Sequence, residues 1–137
     1  MNNVQKFEYC TNIKENHLDV FGHVNNTAYM ILFEEARWDF ITPNNFGLEK
    51  IKELQIGPVV LEANIKYKRE LKNRDQIKVI SETKSVDGKI MLLSQIIYKD
   101  DGKISCIGDF TIGLFDMKNR KLISPTLDWL KAIGVSQ

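Results

Sequence analysis

Long apolar runs are missing from this chain. No stretch approaches the ~20 residues that a helix needs to cross a bilayer, and Met1-Asn2-Asn3-Val4-Gln5-Lys6 carries no apolar signal core. These absences lead us to expect a cytoplasmic protein with no membrane insertion. A surplus of one charge is missing too: 19 basic residues stand against 18 acidic ones, a net charge of +1, so no global field calls for nucleic acid or an anionic surface. Cysteine is scarce. Cys10 and Cys106 lie far apart in apolar surroundings, with no CxxC pair and no Cys/His cluster at metal-ligand spacing. We expect two buried free thiols and no metal. No Gly-rich dinucleotide fingerprint, Walker loop or Ser-His-Asp nucleophile elbow occurs.

What is present suits an ordinary globular protein. The 137 residues are 43% hydrophobic and 27% charged, and no repeat or Pro/Gly-rich linker divides them, which points to one domain over residues 1–137. Phe7 to Ile13 reads as a first strand. After a loop from Asn16 to Asn25, Tyr29, Leu32, Phe33, Ala36 and Phe40 recur at a period near 3.6, which predicts a helix from Asn26 to about Ile41. Ala28 to Phe33 are all apolar, so that half should be covered on most sides. Pro43 helps to end it, and a short helix is expected around Leu48 to Leu54.

Beyond Pro58 the period becomes two. Leu61, Ala63, Ile65 and Tyr67 alternate with Glu62, Asn64, Lys66 and Lys68, the pattern of a half-buried strand. Strands follow over Ile77 to Thr83, Ile90 to Tyr98 and Ile104 to Leu114, with Asp87-Gly88 suiting a type I′ turn and Asp101-Gly102 repeating the signal. A short helix around Leu127 to Ile133 closes the plan. A strand, a long helix and a four-strand meander make an α+β layout. The helix is too broadly apolar for one flat contact, so a curved sheet of about five strands wrapped around it is the economical arrangement.

The chemistry concentrates in Asp19-Val20-Phe21-Gly22-His23-Val24-Asn25-Asn26-Thr27-Ala28-Tyr29. It places a carboxylate and an imidazole in a short turn that runs into the helix start. Helix starts expose unpaired N–H groups and the positive end of a dipole, so a carboxylate beside them equips the chain to attack a polarised carbonyl. Aspartate before a helix is also a common cap or turn former, but seven residues separate Asp19 from Asn26, too many for it to cap a helix beginning there. His23 either serves the reaction near neutral pH or bonds to backbone. Asn25 and Asn26 are good helix starters, and only the backbone amide of Asn26 is assigned a chemical role. Glu34 and Glu35, with Arg37 nearby, are an exposed or Arg-paired set or, if buried, a second candidate base. Phe21, Tyr29, Met30 and Phe33 are candidates to line a pocket.

In order and motif the chain resembles the hotdog-fold thioesterases, closest to the 4-hydroxybenzoyl-CoA thioesterase-like branch. The matching residues are Asp19-x-x-Gly22-His23-Val24-Asn25-Asn26-x-x-Tyr29. The resemblance implies hydrolysis of an acyl-CoA or acyl-carrier thioester to a free acid and a thiol. It implies Asp19 as nucleophile or general base, Gly22 as the turn glycine, the Asn26 amide as the donor to the thioester oxygen and Tyr29 near the acyl site. His23 is common in this branch but absent from its hydroxybenzoyl-specific members. Plant-type acyl-carrier thioesterases carry an asparagine two residues after the aspartate, where this chain has Phe21. The resemblance implies a homodimer or homotetramer with sites between subunits, and no cofactor beyond the coenzyme A of the substrate. Lys66, Lys68, Arg69, Lys72 and Arg74 form a basic cluster that is either a solvated face or, through Lys68 and Arg69 above all, a seat for the phosphates of coenzyme A. Two alternatives remain: a dehydratase acting on 3-hydroxyacyl thioesters, which the Asp19-to-His23 spacing fits poorly, and a module that binds acyl-CoA or acyl carrier without turnover.

Overall fold

The computed structural model describes residues 3–136. In chain order the elements are β1 (Asn3–Val4), β2 (Lys6–Asn12), α1 (Asn26–Ile41), α2 (Leu48–Leu54), β3 (Ile56–Tyr67), β4 (Gln76–Asp87), β5 (Ile90–Lys99), β6 (Ile104–Asp116), β7 (Lys121–Ile123), α3 (Leu127–Ala132) and β8 (Val135–Ser136). The main sheet is antiparallel, in the order β2-β4-β5-β6-β3, with β7 paired to β6; β1 and β8 form a separate two-stranded ladder.

This order places α1. Strands β2 and β3 are the two edges of the path, so the chain between them must travel across the whole face of the sheet. The longest helix lies in that crossing and buries Leu32, Phe33, Ala36 and Phe40. Register shifts at Val60/Glu62, Thr83/Ser85 and Ile97/Tyr98 are bulges of the kind that bend strands and let the sheet curve around the helix. The rings of Phe33 and Phe110 meet edge to face at 5.3 Å, and Phe7 stacks on Phe40 at 4.4 Å.

The expected elements are found, α2 with both of its boundaries, but four expectations need correction. The strands after α2 are not one meander: β3 pairs only with β6, while β4 crosses to lie beside β2, because the Lys68–Asp75 stretch is a long connection rather than a tight turn. The β4–β5 turn is not type I′. Its central residues are Gly88 and Lys89, since Asp87 pairs with Ile90, and only Gly88 has positive φ, the signature of type II′. Cys106 is buried as expected, and burial pushes its thiol up to about 11. Cys10, however, is exposed on edge strand β2. Finally, Leu61, Ala63 and Tyr67 of β3 and Met30 and Ile31 of α1 are exposed in the single chain. Their apolar periodicity is real, but β3 is an edge of the sheet and nothing among the described residues covers it.

Gly108 breaks the β6 alternation for a packing reason. A Cβ there would stand 2.6 Å from the Phe110 ring and 3.2 Å from that of Phe33. We expect Gly108→Ala to destabilise the fold by about 1–3 kcal/mol, the usual cost of overpacking a tight core. The denaturation midpoint in urea measures it.

Candidate active site

One small hairpin carries the motif. Leu18 pairs with Val24, the Asp19 N–H donates to the His23 carbonyl at 2.8 Å, and the Asn25 N–H donates to the His17 carbonyl at 2.9 Å. At the tip the Gly22 N–H reaches the Asp19 carbonyl at 3.1 Å, with Gly22 at φ +80°, a conformation that glycine adopts without strain. Asp19 also shapes this turn with its side chain. Its Oδ1 accepts the N–H of Phe21 at 2.9 Å and of His23 at 3.0 Å. One carboxylate oxygen is therefore structural, and Oδ2 takes no part in these bonds. The His23 side chain is exposed; its backbone, not its imidazole, holds Asp19.

Sequence reasoning misses His17. It is buried, and its Nδ1 accepts the Lys14 N–H at 2.8 Å, so in the neutral ring the proton sits on Nε2. Through its carbonyl it also anchors Asn25, the residue that caps α1. The only available signal was a lone histidine just before the motif, which spacing alone does not assign.

Asn25 is the N-cap. Its Oδ1 accepts both the Thr27 N–H and the Thr27 Oγ1 hydroxyl at 3.0 Å, and its carbonyl accepts the Ala28 N–H at 2.9 Å. The Asn26 N–H has no partner among the described residues. It lies at the positive end of a 16-residue helix, where an oxygen bearing developing charge is favoured. The hairpin thus carries both a carboxylate and the start of the helix whose first amide is open.

The other candidates sort by burial. Tyr29 is a core residue: it meets the Tyr67 ring edge to face at 5.1 Å, and burial raises its phenol above the ordinary value beside the Leu71 backbone and the Ser105 hydroxyl. Lys68 and Arg69 are exposed just after β3, their N–H groups donating to the Ser105 carbonyl, with Arg69 Nη1 on the Ile104 carbonyl at 3.0 Å. Since Ser105 also neighbours Tyr29, this basic pair stands near the first turn of α1. Arg74 does not join it, because it pairs with Glu15. Glu35 accepts the Tyr9 hydroxyl at 3.0 Å and Glu34 is exposed, so neither is a buried base.

An apolar cavity of about 240 Å³ lies between the second half of α1 and the sheet. It is not where the sequence placed a pocket: none of Phe21, Tyr29, Met30 and Phe33 lines it. Phe33 is fully buried, whereas Val20 and Phe21, at 94% and 81% exposure, project from the hairpin tip.

Comparison with known proteins agrees with the fold. A family model described as the thioesterase-like superfamily matches residues 13–133, and the chain belongs to that superfamily. It is a hotdog-fold thioester hydrolase. It is 33% identical over 109 residues to the long-chain acyl-CoA thioesterase FadM of Escherichia coli, covering 79% of this chain and 82% of FadM. Among solved structures, the probable thioesterase YbaW of Escherichia coli superposes with a TM-score of 0.80 at 28% identity, covering 92% of this chain and 95% of that one. A hypothetical protein of Staphylococcus aureus solved in complex with CoA gives a TM-score of 0.87 at 19% identity, over 94% of this chain and 82% of that one, and shares the fold.

The bracing role of His17 has a measurable consequence. We expect His17→Ala to cost about 1–3 kcal/mol, because a backbone donor loses its partner beneath the hairpin. The midpoint of thermal or urea unfolding reads this out.

Proposed function

We propose that the protein hydrolyses acyl-CoA thioesters at the hairpin-helix junction, with Asp19 as the reacting carboxylate and the Asn26 amide as the oxyanion donor. The observation that carries this reading is that one short hairpin holds both a carboxylate oxygen outside the turn's backbone bonds and a helix-opening N–H without a partner among the described residues. A thioester carbonyl is electrophilic and a thiolate leaves readily, so the site needs a nucleophile and an oxyanion donor more than a strong general acid. As the carbonyl carbon becomes tetrahedral, its oxygen gains charge against the Asn26 N–H. One such preorganised donor is worth about 3–4 kcal/mol in other enzymes. Asp19 Oδ2 either draws a proton from the attacking water or adds to the carbon itself, forming an anhydride that water then cleaves. In both routes the C–S bond breaks, the acid carries the new oxygen and the thiol takes the proton.

The relatives support the substrate class. FadM is by name a long-chain acyl-CoA thioesterase, and a fold neighbour was solved with CoA. Lys68 and Arg69, near the first turn of α1, suit the phosphates of coenzyme A through charge-assisted bonds. We further propose a homodimer joined along β3. That strand leaves one edge unpaired and exposes Val60, Leu61 and Tyr67, an edge that natural proteins seldom leave bare.

Asp19→Asn keeps an Oδ1 acceptor for Phe21 and His23, so we expect a folded protein whose kcat falls by two or more orders of magnitude. Release of free thiol from an acyl-CoA panel, followed with a chromogenic thiol reagent, measures this; full turnover by the folded variant removes Asp19 from the mechanism. Charge reversal at Lys68 and Arg69 together should raise KM for acyl-CoA severalfold with a smaller change in kcat. An unchanged KM assigns the phosphates elsewhere.

A further inference from the structure

His17 is 6% exposed, while the motif's own histidine, His23, is open to solvent. The bonds that brace the hairpin use only the carbonyl and Nδ1 of His17. Because Nδ1 accepts the Lys14 N–H, the neutral ring carries its proton on Nε2, which can donate but cannot accept. The Nε2–H has no partner among the described residues. It is not sealed in the core either, because no fully buried side-chain nitrogen or oxygen among those residues is left without a partner. Burying a polar group is costly unless it is bonded. A donor kept in a buried ring with its outer end open is suited to bonding a ligand or a reacting water.

The hairpin puts this donor on the same face as Asp19. Leu18 is extended, with φ −96° and ψ 150°, and pairs with Val24. Side chains two residues apart along an extended chain share a face, so those of His17 and Asp19 do. At about 3.3 Å per residue they stand roughly 7 Å apart. Two hydrogen bonds of about 2.8 Å through one water span about 5 Å, a gap that an imidazole and a carboxylate leaning together close. Across the hairpin His17 faces Asn25, the N-cap, whose N–H it holds at 2.9 Å, and the Asn26 amide is one residue further on. His23 stands across from Asp19, but no bond among the described residues fixes which of its nitrogens carries the proton. The ring with a fixed donor is that of His17.

We propose that His17 is a second catalytic side chain, whose Nε2–H orients the water that attacks the thioester. The proposal rests on the acyl-CoA thioesterase reading above and favours its route in which Asp19 activates water. The water accepts from Nε2–H with one lone pair, directs one proton at Asp19 Oδ2 and turns its other lone pair to the carbonyl carbon. As the new C–O bond forms, that proton passes to Asp19. As the C–S bond breaks, the leaving thiolate takes it, and the acid keeps the water's oxygen and its second proton. His17 keeps its own proton throughout, because the Lys14 N–H occupies the only nitrogen that could accept another.

Two replacements divide the ring between its nitrogens. His17→Asn offers an oxygen near the place of Nδ1 for the Lys14 N–H but has nothing at the place of Nε2. His17→Gln reaches the place of Nε2 with an amide donor but gives up the Nδ1 acceptor. With hexadecanoyl-CoA and a chromogenic thiol reagent, kcat of His17→Asn should fall roughly tenfold or more, as expected when a reactant loses its orientation, with an unfolding midpoint near that of the wild type. His17→Gln should be the less stable of the two, yet exceed the Asn variant roughly fivefold or more in kcat. A role confined to bracing gives the opposite order in kcat. That order, or turnover by a folded His17→Asn variant within about twofold of the wild type, overturns the proposal. A second measurement needs neither turnover nor substitution. In nitrogen NMR of the wild type the neutral His17 ring should be protonated at Nε2, and that proton should exchange with water faster than the amides in the middle of α1. Protonation at Nδ1, or an Nε2 proton as slow as those amides, overturns the proposal even if neither variant folds. A wild-type protein with this ring that releases no thiol from any acyl-CoA would instead sink the thioesterase reading and leave the placement of the donor standing.

Discussion

Burial of the inner face of α1 against the curved sheet is the contact on which everything else depends. Leu32, Phe33, Ala36 and Phe40 go fully or almost fully out of water there, against strand residues such as Val79, Ile97 and Phe110. Each large side chain contributes about 1.5–3 kcal/mol by transfer alone, and the edge-to-face meeting of Phe33 and Phe110 adds a preferred geometry. That contact fixes the axis of the helix. The axis in turn fixes where the first-turn amides lie and where the second half of the helix stands away from the sheet.

The hairpin before α1 has little core of its own. It is held by bonds: Asp19 to His23, His17 to Lys14 and Asn25, Asn25 to Thr27. These bonds shape the turn through its backbone, and Asp19 Oδ2 and the Asn26 N–H take no part in them. Its tip residues Val20 and Phe21 are the most exposed large apolar residues among those described. Such exposure beside the proposed reaction centre is costly in an isolated chain and has a use where a substrate or a second copy covers it.

Burial also separates the chemistry of similar residues. Cys106, buried against the core, has its thiol pushed up to about 11 and stays a neutral core residue, whereas Cys10 faces outward from an edge strand. Burial lowers the pKa of Arg37 from its ordinary value, with the charge of Glu34 opposing, and Gln95 and the Phe110 ring take up its face and one of its donors.

Local chemistry was enough to read much of this protein from its residues. Helix periodicity located α1, the asparagine cap located its start, and Gly88 and Gly102 marked the turns, because each depends on neighbours a few residues away. The Asp19–Asn26 motif was legible for the same reason: one short turn contains it. Strand order, by contrast, was decided by tertiary structure. Whether β3 lies beside β4 or beside β6 is a competition between distant pairings that no local pattern records. The exposure of Cys10, Met30 and Ile31 and the cavity between the second half of α1 and the sheet are tertiary outcomes of the same kind. They depend on which surfaces the folded sheet brings over the helix and which it leaves open.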